Sequence, residues 1–259
     1  MPLKLMYITN SEDVAHIAEE AGVDRIFVDM EYIGKTDRQG GMDTVQSRHT
    51  ADDVRRLAQC LNKAELFVRV NPIHEKTDEY NSSKEEIDEA IEAGADLLML
   101  PYFKTAEEVQ TFVKYVNGRA KTVLLVETPE AAAIAEDLVQ IPGIDEMFIG
   151  LNDLSLGYGK NFMFELLLDG TVEELCLKFR KGGIPYGFGG IASLGKGMLP
   201  SEYVIKEHYR LGSACAILSR SFCRTGQVTD LKEIQKIFEI ELPKIRELEE
   251  ECRVHSEYF

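Results

Sequence analysis

One pattern repeats along the whole chain: a short apolar run followed by a stretch with helical periodicity, eight times over. KLMYIT (4–9) leads into SEDVAHIAEEAG, where Ser11 is placed to cap a helix and Gly22 to end it. The later runs are DRIFVDME (24–31), ELFVRVNP (65–72), ADLLMLPYF (95–103), TVLLVET (122–128), IDEMFIGLND (144–153), IPYGFGGIAS (184–193) and ACAILSRSF (214–222). These runs are apolar on both faces rather than alternating, as parallel strands covered by helices require. Eight such units in 259 residues predict a (β/α)8 TIM barrel, read as one domain over 1–259. The rival, an open doubly wound sheet, usually carries a glycine-rich phosphate fingerprint after its first strand, and MYITNSEDV has none.

Two segments exceed the repeat. Residues 32–48 form a long polar connection after the second run, and loops of that length in compact domains tend to be functional or mobile. Residues 229–259 form a C-terminal helical extension, with Leu231, Ile234, Ile237, Phe238, Ile245 and Leu248 at helical spacing. Pro243 is expected to kink that helix or split it. The extension reads either as a cover for the barrel wall or as a contact between subunits.

Charge narrows the partners. A net charge of −16 repels phosphate backbones and anionic headgroups, so neither nucleic acid nor a membrane surface is an expected partner. No apolar run reaches the roughly 18 residues that span a bilayer, and MPLKLMYITN lacks the features of a secretory signal. The five cysteines are odd in number and show no CxxC spacing, which suits buried thiols in a reducing compartment. A cytoplasmic location is the expectation.

In a TIM barrel the chemistry sits where strands end. That rim collects Asp29 and Glu31, Arg69 and Asn71, Glu127, Asn152 and Asp153, the glycine-rich GFGGIAS, and Ser219 with Arg220. Glu127 and Asp153 end neighbouring strands and are able to converge. Paired carboxylates with water completing the shell suit a hard dication, Mg2+ or Mn2+, rather than Zn2+. Two open positions on such an ion fit the carboxylate and ketone oxygens of a 2-oxo acid. The plainer reading is a solvated or salt-bridged glutamate after a strand.

VLLVETPEA followed by GIDEMFIGLNDLS resembles the HpcH/HpaI family of metal-dependent 2-oxo-acid aldolases, which includes proteins like the citrate lyase β-subunit. FVDME, FVRVNP, AGADLLMLPYFKTAEEV, GFGGIAS and YRLGSACAILSRSF extend the resemblance over most of the chain. It implies a carbon–carbon lyase of the class II aldolase type, acting on a pyruvate-like 2-oxo acid and an aldehyde through an enolate, in a homo-oligomer. Glu127 and Asp153 are then the metal ligands, and Arg69 supplies positive charge at the enolate oxygen. The family's catalytic histidine follows the strand 2 acids directly. Here Tyr32 stands in that place, and aligning RHTADDVRRL instead makes His49 the acid/base, with Asp29 orienting it. Gly150, Asn152 and Glu31 complete the substrate side, with backbone N–H groups from Gly150 to Asp153 holding the substrate carboxylate. Leu125 replaces a glutamine common in pyruvate aldolases, and VETPEA lies closer to the citrate-lyase-like branch. Two alternatives remain: an acyl-CoA lyase of the citrate or malyl type, with Lys104, Lys160 or Arg220 meeting the CoA phosphates, or a catalytically silent barrel acting as a binding subunit.

Overall fold

A computed structural model of the chain describes residues 1–34, 47–225 and 227–254. Most of the expected 32–48 connection, and the tail with His255, lie outside the described residues. Eight parallel strands close into a barrel: β1 Lys4–Ile8, β2 Arg25–Asp29, β3 Glu65–Arg69, β4 Leu97–Leu100, β5 Lys121–Val126, β6 Glu146–Ile149, β7 Tyr186–Ile191 and β8 Cys215–Leu218. β1 pairs with β8, Lys4 opposite Cys215 and Tyr7 opposite Leu218, and this closure excludes the open doubly wound sheet.

The helices that follow β1 to β4 start where their caps dictate. α1 (Glu12–Glu20) is capped by Ser11, and Gly22 beyond its end adopts φ 101°. α2 (Ala51–Cys60), α3 (Ser83–Glu92) and α4 (Ala106–Val116) each begin with a reciprocal capping box, Thr50 with Asp53, Ser82 with Glu85, and Thr105 with Glu108. The PEAAAIAEDLVQI stretch forms two short helices, α5 (Pro129–Ala133) and α6 (Ala135–Leu138). Then come α7 (Leu151–Gly157), α8 (Glu165–Leu168), α9 (Thr171–Lys181), α10 (Ser201–Leu211) and α11 (Leu231–Val254).

α11 runs unbroken through Pro243, which corrects the expected split. Its inward side buries Ile234, Phe238, Leu242, Ile245 and Cys252, and it packs between α1 and α10 as the helix that closes the outer ring. Phe238 meets Tyr7 edge-on at 5.0 Å and Phe222 at 5.1 Å. Proline deprives the carbonyl four residues back, that of Glu239, of its helical donor; Glu239 is on the exposed side of the helix, open to solvent. Packing on the other side holds the axis together.

Apolar side chains fill two layers. Between strands and helices lies the large outer core, and inside the barrel Met6, Phe27, Phe67, Leu97, Met99, Val123, Leu125 and Phe148 pack against one another. Phe27 and Phe67, opposite each other in the β2–β3 register, stack at 4.8 Å. Arg25, wholly buried at the N-terminal end, donates to both Glu146 oxygens at 2.7 and 2.5 Å and to Glu65 at 2.9 Å. That end is sealed by charge pairing, which leaves the opposite end for a site. Among the described residues no helix is long and apolar enough to cross a membrane.

Candidate active site

β2 delivers Asp29 as its last residue, and the chain then carries Glu31 over the rim; both are 2% exposed. Neighbouring β3 ends on Arg69, directly opposite Asp29 in the register. Nε and Nη2 of Arg69 donate to the two Asp29 carboxylate oxygens, each at 2.8 Å, and Nε lies 3.4 Å from Glu31. This is the fork-to-fork geometry that a guanidinium forms and an ammonium does not. Burial opposes the arginine's charge, but Asp29, Glu31 and Glu127 outweigh it and push its pKa up. The Arg69 plane also sits 5.7 Å over the Phe27 ring.

His49 stands beside Asp29. The backbone N–H of Asp29 donates to His49 Nδ1 at 3.0 Å, so in the neutral ring the proton belongs on Nε2. The Thr50–Asp53 capping box fixes the residue that follows His49 and thereby its entry to α2. Tyr32, the competitor for the same position, is 53% exposed and meets Tyr80 at 6.3 Å. The expected orienting role of the Asp29 carboxylate is therefore taken, in the bond seen here, by its main-chain amide, while the carboxylate grips Arg69.

Glu127 directly follows β5 and is 4% exposed; Asp153 is 8% exposed. Oε1 of Glu127 accepts the backbone N–H of Tyr102 at 2.9 Å, and Tyr102 adopts the left-handed φ of 48° to present it. Thr128 caps α5 and donates to the Phe103 carbonyl at 2.8 Å, anchoring the other side of the same turn. The expectation that a strand carries Asn152 and Asp153 is corrected: β6 ends at Ile149, and both lie in the first turn of α7. Gly150 lies against Glu127 and precedes the turn that bears Asp153. A Cβ there would fall 2.8 Å from Glu127 Cβ and 2.9 Å from its Oε2, so only glycine lets the glutamate lie against the turn bearing Asp153. Asn152 donates from Nδ2 to Asp153 Oδ1 at 3.2 Å.

Other expectations shift. The Gly150 N–H donates to Val126 O at 3.0 Å and is committed to the barrel, so carboxylate binding would fall to the amides after it. Glycines of GFGGIAS meet demands of the strand itself. A Cβ on Gly187 would lie 2.2 Å from Cys215 O, and the β7–β8 register slips between Gly187 and Gly190, where Gly189 takes φ 52°. Of the cations considered for CoA phosphates, Lys104 pairs with Glu130 at 3.3 Å and Lys160 with Asp169 at 2.8 Å. His208 is structural: it stacks on Phe188 at 3.9 Å, and burial pushes its pKa down to about 3.

Two supporting residues had no function assigned from sequence. Asn71, 2% exposed, accepts the N–H groups of Tyr32 and Ile33 at 2.9 Å each and donates to Met30 O at 3.3 Å and Glu86 at 2.8 Å, pinning the segment past Glu31. Its place after the strand 3 arginine was the available signal. Tyr102 acts through its main chain, and nothing in the side-chain pattern marks that.

The sequence model of the HpcH/HpaI aldolase/citrate lyase family matches residues 4–166. The chain belongs to this family. Solved structures share its fold. An HpcH/HpaI aldolase/citrate lyase family protein from Burkholderia cenocepacia J2315 is 16% identical, with 90% of this chain and 95% of that chain covered and a TM-score of 0.67. An HpcH/HpaI aldolase from Desulfitobacterium hafniense DCB-2 is 15% identical over 90% and 93%, at 0.64. A citrate lyase beta subunit from M. tuberculosis, complexed with oxaloacetate and magnesium, is 14% identical over 91% and 96%, at 0.57. No curated protein matches by sequence. Membership of the HpcH/HpaI family supports an enzyme of the lyase kind.

Proposed function

We propose that the protein is a divalent-metal-dependent carbon–carbon lyase of the class II aldolase type, making or cleaving a 2-oxo acid through a pyruvate-like enolate. The observation that carries this reading is the burial of both Glu127 and Asp153 just past the ends of neighbouring strands β5 and β6, with Gly150 leaving room for Glu127 beside the turn that bears Asp153. Their donor set, carboxylate oxygen only, fits Mg2+ or Mn2+. A magnesium complex of the M. tuberculosis relative is in keeping with that choice. When bound, such an ion supplies Lewis acidity to the ketone oxygen of the substrate.

The chain's own groups have separable tasks. Glu127, held by the Tyr102 amide, and Asp153, held by Asn152, form the ligand pair. Arg69 is fixed by Asp29 through Nε and Nη2, while its Nη1 has no partner among the described residues and is available to oxygen where charge develops. His49, with its Nδ1 occupied by the Asp29 amide, holds its proton at Nε2 and so donates to the oxygen on the aldehyde side. A neutral imidazole acting as donor polarises a carbonyl without adding charge. Glu31 balances Arg69 and borders the substrate. A homo-oligomer and a small aldehyde partner belong to the same proposal.

The test is enolisation. Protein with Mn2+ or Mg2+ is expected to exchange the methyl protons of pyruvate with D2O, and Glu127→Gln with Asp153→Asn to abolish the exchange. Metal binding without any exchange in the wild-type chain would instead favour a silent barrel.

A further inference from the structure

Away from the rim carboxylates, a cavity of about 890 Å3 opens between the loop after β7, the loop after β8 and the first half of α11. That volume lies within the roughly 300–1,000 Å3 of small-molecule sites. Part of the lining is apolar: Phe222 is buried, Ile237 is half-buried, and Met198 and Ile240 leave 71% and 44% of their surface exposed. The same lining holds three cations, Lys196, Arg224 and Lys236. None of the three forms an ion pair among the described residues. Of the two carboxylates present, Glu241 is held by Lys244 at 2.9 Å, which leaves Glu233 to oppose three cations. A positive cluster in a chain of net charge −16 runs against the global sign.

The position is informative too. The loops after strands 7 and 8 are where TIM barrels frequently bind phosphate. Every lining residue lies beyond residue 166, where the family match ends, so the cavity belongs to the part of the chain the family pattern does not describe. We propose that this cavity binds a phosphate monoester with an apolar body, the dianion facing Lys196, Arg224 and Lys236 and the body against Phe222, Ile237 and Ile240. The inference stands on charge and shape at this cavity and is independent of the lyase chemistry.

Calorimetric titration of the full chain with phenyl phosphate tests it. Binding is expected, with inorganic phosphate and phenol each clearly weaker, since each uses only the cationic or only the apolar part of the lining. Lys196→Ala with Lys236→Ala should weaken phenyl phosphate about a hundredfold, about tenfold for each charge-assisted contact. Arg224→Ala should weaken it about tenfold, and Glu233→Gln should tighten it. All four side chains are on the surface, and circular dichroism verifies that the variants fold. Equal affinity in the lysine double variant, or phenol binding as tightly as phenyl phosphate, overturns the proposal. So does loss of binding in Glu127→Gln with Asp153→Asn, because the anion would then occupy the rim. Unchanged binding in that pair supports it whether or not enolisation is found.

Discussion

Glu127 follows the apolar strand β5 and stays buried because its neighbours are built to keep it there. One oxygen takes the Tyr102 amide, and the missing side chain of Gly150 leaves the space it fills. Gly150 has an ordinary φ of −83°, so its requirement is steric, not conformational. Gly150→Ala should therefore cost about 1–3 kcal/mol as an overpacked site and lower Mn2+ affinity by about 10–100-fold as a displaced ligand. Denaturant unfolding and metal titration measure the two effects separately; unchanged metal affinity would mean that Glu127 is not a ligand. Arg69→Lys keeps the charge but cannot span both oxygens of Asp29. Its turnover should fall about a hundredfold with little change in fold, read from steady-state rates beside a circular dichroism spectrum.

Among the elements, the early helices were legible because their caps are written in adjacent residues: Thr50, Ser82 and Thr105 each face an acid three positions on. α7 was not legible, because MFIGLND is apolar enough to pass for strand up to the point where the chain turns at Gly150. α11 shows the reverse error. Local rules stop a helix at proline, yet Phe238, Leu242 and Ile245 bury on both sides of Pro243 and carry it through. The penalty persists in the native state, so Pro243→Ala should raise stability by about 1–3 kcal/mol. An increase in the urea midpoint measures it, and a decrease would mean that the proline ring is needed for packing of α11. Phe238→Ala, by contrast, should cost about 3–5 kcal/mol.

For the molecule as a whole, closure of β1 on β8 assigns the two ends of the barrel different work. Arg25 with Glu65 and Glu146 seals one, and Arg69 with Asp29 and Glu31 organises the other. Acid sensitivity follows from the buried core between helices. In the unfolded chain His208 takes up a proton near its ordinary pKa of about 6.5, whereas in the fold burial holds it neutral down to about 3. The unfolded state then binds more protons, so stability is present above about pH 6.5 and is lost as the pH falls towards 3. His208→Gln should flatten the dependence of unfolding free energy on pH between 7 and 5, measured by denaturant titration at each pH. An unaltered slope would assign the acid sensitivity to other groups.

The sequence by itself determined the eight-fold alternation, the capped helix starts and the two acids that follow β5 and β6, because each depends on residues close together in the chain. It also pointed to His49 across an interrupted motif. The tertiary structure alone decided that Asp29 grips Arg69 with its carboxylate and His49 with its amide, that Gly150 is spent on Glu127, and that Asn71 and Tyr102 hold the rim. These contacts join residues tens of positions apart, and several use backbone groups that every residue carries, so no local side-chain pattern encodes them. They exist only once the barrel has closed and brought the strand ends to one rim.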